Sequence, residues 1–309
     1  RQMCIRDRPQ LITCRVQAPR PTTMVSAEQL LASAEKKASS TGGWFSNSSS
    51  KREQAVELFK EAANKLRVEN RMGEAGQALV RAADVELQTG ERDFAANTFY
   101  EASKCFRMAR PDQAVMALDR CAELLVQRGR FRQAADRKKN MAELYREDPS
   151  HLADGLAAYE QAATWYTQEG ASATASSCMR EAAQIAVQLA QYPKAIELWE
   201  QVASISLGSS LTKYSVKEYY LNAGLCYLAI PDYGAAARAM AFYAQQDPGF
   251  PSTVEGQSLH ALLEAGEHGD FDSFDARVQD LDKLKPLVGW RATLMANVRK
   301  AIAAEPDLS

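Results

Sequence analysis

From about residue 55 to residue 243, apolar side chains recur as small-x-x-x-large-x-x-small every 19 to 21 residues, with polar and charged positions between them. The windows open on Ala55, Ala75, Ala95, Ala114, Ala134, Gly155, Ala175, Ala195, Val216 and Ala236. Four residues on stand Phe59, Leu79, Phe99, Leu118, Lys138, Tyr159, Met179, Trp199, Tyr220 and Met240. Three further come small or apolar side chains such as Ala62, Ala82, Ala102, Cys121, Ala162, Ala182 and Ala223. Residues at i, i+4 and i+7 share one helix face. Each window therefore predicts an amphipathic α-helix whose small residues admit a close neighbour and whose large residue fills the gap. Lys138 is the exception in the large position. Either its stem snorkels across the groove, or the helix there is rotated.

Turn signals fall in phase with these helices, at Gly73, Gly90, Pro111, Gly129, Pro149, Gly170, Pro193, Gly208, Pro231 and Pro248. Glycine past a helix end and proline near a helix start are the expected punctuation. Two signals sharing one period predict stacked helix pairs, an all-α, tetratricopeptide-like right-handed helical-hairpin solenoid. Such an array buries its helix faces against neighbouring repeats and leaves long surfaces free to hold other proteins.

The flanks depart from the period. Ser26 to Ser39 reads as a first helix, with Ser26 as N-cap and Leu30, Leu31 and Ala34 on one face. A Gly/Ser-rich loop at 40–50 follows, interrupted by the adjacent aromatics Trp44 and Phe45, which either tuck back against the first helices or stand exposed for a partner or a bilayer interface. Beyond Pro251 the triplet is lost, and Glu255 to Glu267, Phe271 to Leu284 and Leu287 to Ala304 read as three more helices, a C-terminal helical capping bundle over 251–309 that ends in a short acidic tail. The solenoid thus spans 24–250. Residues 1–23 show neither helical periodicity nor the apolar run of a signal peptide, Met24 reads as a plausible start, and 1–23 is expected to have no native role.

Charge modifies this picture little. Residues 1–24 carry five arginines against one aspartate, so 25–309 hold 32 basic against 38 acidic groups. An acidic body is a poor nucleic-acid binder, because phosphate neutralisation needs a basic surface. The six cysteines show no metal-ligand spacing and read as reduced core thiols of a cytosolic protein. The three histidines, His151, His260 and His268, lie in no catalytic setting, and no phosphate-binding glycine loop or nucleophile elbow is present. No enzyme activity, cofactor, metal or small-molecule substrate is expected. Taken singly, the lysines and arginines along the array read as solvated surface charge. Gathered on one face, they would steer an acidic elongated partner. Glu264, Glu267, Asp270 and Asp272 cluster near one helix end, where ordinary solvated charge is the plain reading.

Several stretches in order and spacing resemble the soluble NSF attachment proteins, and among them the alpha type: Leu31 to Lys37, the Trp44-Phe45 loop, Gly129 to Phe131, Ala157 to Ala162, Gln191 to Val202, Leu211 to Tyr220, Leu262 to Ala265 and the terminal Asp307-Leu308. The resemblance implies an adaptor on the cytosolic face of membranes that wraps the assembled SNARE four-helix bundle and recruits the hexameric ATPase NSF, which takes the bundle apart. It implies membrane contact for Trp44 and Phe45, SNARE contact for Arg130, Lys213 and Lys217, with Lys138 added from its anomalous position, and NSF contact for Glu264, Glu267, Asp307 and Leu308. Asp136, Ser177 and Glu181 stand where the family's animal members have lysines, and His268 replaces an acidic position. A tetratricopeptide-like scaffold for some other partner is the alternative; it accounts for the period but not for the aromatic loop or the penultimate leucine.

Overall fold

A computed structural model describes residues 25–40, 48–230 and 232–304. Among them run fourteen α-helices: α1 (Ala27–Ala38), α2 (Ser48–Val68), α3 (Met72–Gln88), α4 (Arg92–Phe106), α5 (Pro111–Gln127), α6 (Phe131–Arg146), α7 (Leu152–Gln168), α8 (Ser172–Gln188), α9 (Tyr192–Leu207), α10 (Val216–Tyr227), α11 (Tyr233–Gln246), α12 (Val254–Glu267), α13 (Phe271–Leu284) and α14 (Trp290–Ala304). Each helix from α1 to α10 packs on the next. Short connections make neighbours antiparallel, and the result is a tetratricopeptide-like solenoid of helical hairpins.

The small-large-small triplet builds this contact directly. Ala55, Ala75, Ala95, Ala114, Ala134, Ala175 and Ala195 are all fully buried, as are Ala62, Ala82, Ala102, Ala162 and Ala182. Phe59, Phe99, Tyr159, Trp199 and Tyr220 fill the spaces these methyl groups leave. Ser26 caps α1 as its position predicts, its side chain accepting from the Gln29 amide while the Gln29 side chain accepts from the Ser26 amide.

Helix ends follow the left-handed glycine rule at Gly90, Gly129 and Gly170. Gly73 does not play that part: it lies inside the first turn of α3, and Asn70, with φ 60°, turns the chain in its place. Asparagine tolerates this conformation better than other residues with a side chain. Ala190, φ 55°, takes the equivalent position after α8.

Ion pairs join alternate helices and so define two layers. Arg81 on α3 reaches Glu35 on α1 at 3.8 Å, Arg120 on α5 reaches Asp84 on α3 at 3.9 Å, and Lys194 on α9 reaches Glu160 on α7 at 2.7 Å. In the other layer Arg67 on α2 meets Glu101 on α4 at 3.5 Å, and Arg146 on α6 meets Glu181 on α8 at 2.5 Å. Each exposed pair contributes little, about 0–1 kcal/mol, but together they occupy many of the array's surface charges internally.

After α10 the sequential order ends. α12 packs on α10 and α11, α13 on α12, and α14 returns to lie against α8 and α10. Phe274, Val278, Leu281, Leu294, Met295, Val298 and Ile302 join the same buried cluster as Ala182, Trp199, Leu221 and Leu225, so the change of pattern near residue 250 is not a break in the core. The last helix starts at Trp290, three residues later than the apolar pattern predicts. Pro286 has no amide to give, the Leu287 amide donates to Asp282 Oδ1 at 2.6 Å instead of entering a helix, and Gly289 turns at φ 61°.

Gly224 is the point of closest approach between α10 and α12. A Cβ there would stand 2.1 Å from Leu259 Cδ2, and Leu259 is itself fully buried with nowhere to swing. Gly224→Ala is therefore expected to destabilise by about 1–3 kcal/mol, read as a lowered thermal midpoint; an unchanged midpoint would show that Leu259 repacks freely.

Candidate functional site: a partly self-neutralised cationic surface and an acidic helix end

The four expected cations differ in how much charge they leave free. Lys138 lies on α6, where Ala134 and Met141 on either side of it are buried, so the helix keeps its register. Its side chain is 23% exposed, and Nζ lies 2.7 Å from Asp119 Oδ1 on α5. The stem crosses the groove and the ammonium emerges at the edge; the helix is not rotated. One residue earlier, the Arg137 guanidinium stacks 3.5 Å from the centroid of the Tyr100 ring on α4. Two residues before Lys138, Asp136 accepts from the Tyr166 hydroxyl on α7.

Arg130 stands at the N-cap of α6, half exposed, with Nη2 3.5 Å from Asp93 Oδ1; Arg128 takes the other oxygen of the same carboxylate at 3.0 Å. Lys213 opens the single 3-10 turn Lys213–Ser215 between α9 and α10 and is exposed, with no acidic partner among the described residues. Leu211 and Tyr214 beside it are exposed too, at 83% and 76%. Lys217 differs again. It sits on the first turn of α10, and its Nζ lies 3.3 Å from Glu255 Oε1, a carboxylate that is 3% exposed and that Lys285 approaches at 3.0 Å. The structure thus brings Arg130 and Lys138 to the α5–α6 hairpin, Lys213 and Lys217 to the α9–α10 hairpin, and leaves Lys213 the freest of the four.

The acidic end is open. Glu264 and Glu267 occupy the last turn of α12 and are exposed. There the two carboxylates add to the negative end of the helix dipole. His260 Nδ1 lies 4.0 Å from Glu264 Oε2, while His268 Nδ1 meets the Glu264 carbonyl oxygen at 2.7 Å. Asp270 caps α13 by accepting from the Ser273 amide. Trp44, Phe45, Asp307 and Leu308 lie outside the described residues.

Two ties went unread in the sequence: Lys217 and Lys285 on Glu255, and Arg291 on Glu218 and Asn222. Arg291 pairs with residues 69 and 73 positions away, beyond any local pattern. Burial pushes the thiols of Cys121 and Cys178 up to about 11, which suppresses the reactive thiolate. Among the described residues no group of three His, Cys, Asp or Glu side chains is placed to hold a metal ion, and no helix is long and apolar enough to cross a membrane.

A stacked-hairpin scaffold with extended charged surfaces is a helical-repeat protein built for holding other macromolecules. A family model described as "Soluble NSF attachment protein, SNAP" matches residues 25–303. The chain belongs to the soluble NSF attachment protein family. It is 39% identical to the vesicular-fusion protein SEC17 of Coprinopsis cinerea over 92% of this chain and 98% of that one. With the alpha-soluble NSF attachment protein of Mus musculus the identity is 34%, over 91% of this chain and 96% of the relative. Among solved structures, a signal-transduction ATPase with a tetratricopeptide repeat sensor from Pyrococcus horikoshii aligns at 15% identity and a TM-score of 0.44, covering 89% of this chain and 44% of that chain.

The position of Lys138 generates a test. Its window carries an apolar residue elsewhere, and the Asp119 pair is half exposed. Lys138→Met is therefore expected to shift stability by no more than about 1 kcal/mol in either direction, measured by denaturant unfolding; a larger loss would show that the ion pair anchors α6 on α5.

Proposed function

We propose that this chain is the adaptor that binds assembled SNARE complexes and recruits and stimulates the ATPase NSF for their disassembly in vesicle trafficking and intracellular protein transport. Membership of an adaptor family over residues 25–303 supports the reading. The observation that carries it is the separation of opposite charges on one continuous scaffold. Lys213 on the α9–α10 hairpin is exposed and has no acidic partner among the described residues, and an exposed carboxylate pair closes α12. An acidic rod such as a SNARE bundle meets the first, and a basic receptor such as an NSF amino-terminal face meets the second.

In this reading Lys213 is the principal SNARE contact. Arg130 and Lys138 contribute charge that they share with Asp93 and Asp119. Glu264 and Glu267, together with the terminal Asp307 and Leu308, face NSF. Trp44 and Phe45 enter the interfacial layer of the membrane, since an aromatic pair beside a short polar loop is suited to that depth. The protein then works peripherally on the cytosolic face.

A pull-down on an assembled SNARE bundle, with and without NSF, tests the whole reading: NSF is expected on the beads only when this chain is added, and recovery of NSF without it would remove the adaptor role. In the same assay Lys213→Glu should weaken SNARE binding roughly fivefold or more, about 1 kcal/mol, and flatten its dependence on salt. Unaltered salt dependence would show Lys213 facing solvent in the complex. Trp44→Ser with Phe45→Ser should slow disassembly of membrane-anchored SNARE complexes and spare soluble ones; equal effects on both would refute membrane contact.

A further inference from the structure

Three helix ends of the C-terminal bundle converge by charge on one helix of the array. Glu255 opens α12, Lys285 closes α13 and Arg291 opens α14, while Lys217, Glu218 and Asn222 present one stretch of α10 to them. Glu255 Oε1 lies 3.3 Å from Lys217 Nζ and 3.0 Å from Lys285 Nζ, and its other oxygen is buried with no hydrogen-bond partner among the described residues. Arg291 Nη2 donates to Glu218 Oε1 at 2.7 Å and its Nε donates to Asn222 Oδ1 at 3.0 Å. Asn222 is itself buried. Beside them Trp290 stacks on Trp199 with centroids 5.7 Å apart, and Trp199 stacks on Tyr219 at 6.1 Å.

A buried carboxylate with one bare oxygen is tolerated only while its countercharges stay in place. Burial raises the Glu255 pKa, yet the hydrogen bonds from Lys285, its own backbone and Lys217 outweigh that and hold it below the ordinary value, so it is ionised at neutral pH. Apolar contact alone lets helices slide; a charge fixed between two ammonium groups does not. Glu264 and Glu267 lie nine and twelve residues along the same helix, about 14 and 18 Å from Glu255 at the α-helical rise. A tilt of about 10° at the joint therefore moves them about 3 Å, enough to break a hydrogen-bonded contact.

We propose that Lys217 and Lys285, acting through the buried carboxylate of Glu255, are positioning residues that set the pose of α12–α14 on the array, and through it the presentation of the ATPase-facing end. This rests on the adaptor reading given above.

The experiment compares Lys217→Glu, Lys213→Glu, Leu308→Ala and the exchange Lys217→Glu with Glu255→Lys, each assayed for recovery on an assembled SNARE bundle and for stimulation of NSF ATPase. Lys217→Glu is expected to lose fivefold or more of the stimulation even at saturating SNARE bundle, like Leu308→Ala and unlike Lys213→Glu, and the exchange should restore at least half of it. Lost SNARE binding with intact stimulation, or stimulation unchanged from the parent, overturns the proposal. A second measurement reads the joint without NSF: spin labels at Glu169 and Gln279, with Cys4 and Cys14 changed to Ser, in full chain carrying Lys217→Gln and Lys285→Gln. The interlabel distance distribution should broaden or shift by several ångströms; a distribution identical to that of the parent pair overturns the proposal even where the exchange variant does not fold. If the parent chain fails to stimulate NSF at all, the adaptor reading fails, while the label distances still decide whether the joint is held by charge.

Discussion

At Ala62, Ala82, Ala102, Ala162, Ala182 and Ala223 a single methyl group stands where two helices meet, and every one of these positions is closed to solvent. Nothing larger fits without pushing backbones apart, and nothing smaller contributes as much buried apolar surface at as little cost to helix propensity. Because each hairpin packs on the hairpins beside it, this spacing is reproduced along the array. The large residue of each window, Phe59, Phe99, Tyr159 or Trp199, then has a defined hollow to fill. The position of every charged group on the surface is inherited from that stacking.

The surface charges show what the stacking does to them. Pairs such as Arg81 with Glu35 and Arg146 with Glu181 form because helices two apart in the chain lie side by side in one layer. A cation so engaged is a weaker lure for an acidic partner than its formal charge suggests, since the partner must compete with a carboxylate already at hand. Counting lysines and arginines along the chain therefore overstates the attractive surface. Lys213 escapes because it sits in a connection, outside the alternate-helix register.

What was legible in the chain was whatever repeats locally. A helix that must bury one face writes a period of about 3.6 into its own residues, so α2 to α11 and the Ser26 cap could be read directly. Lys138 could be flagged as an anomaly, but whether its stem or its helix gave way needed the position of Asp119. Boundaries set by backbone conformation were less visible: Gly73 looked like punctuation, yet Asn70 does the turning, and Pro286 delays α14 through a hydrogen bond to Asp282. The joint around Glu255 was invisible, because Lys217 and Lys285 meet it from two directions across dozens of residues and neither neighbourhood carries a signature. In the candidate site, chemistry could be guessed residue by residue, but the division of charges into free and engaged is a property of the stacked helices alone.

The buried core is unequally divided along the array. From α6 to α14 one cluster is continuous, whereas the helices before it share three smaller ones, and the smallest of these among the described residues is formed by Ala34, Ala55, Phe59, Ala82 and Val85. In a linear array the free energy of opening a segment is set by its own interface and that of its neighbour. Among the described residues the α1–α2 hairpin rests on that small cluster and on Ala27, Ala63 and Leu66 of the next, so its opening is expected to cost less than that of the half closed by α14. In mechanical terms this uneven core is a graded spring, softer at the α1–α2 hairpin and stiffer where α12 is mounted, so that thermal fluctuation is spent at one end and orientation is preserved at the other.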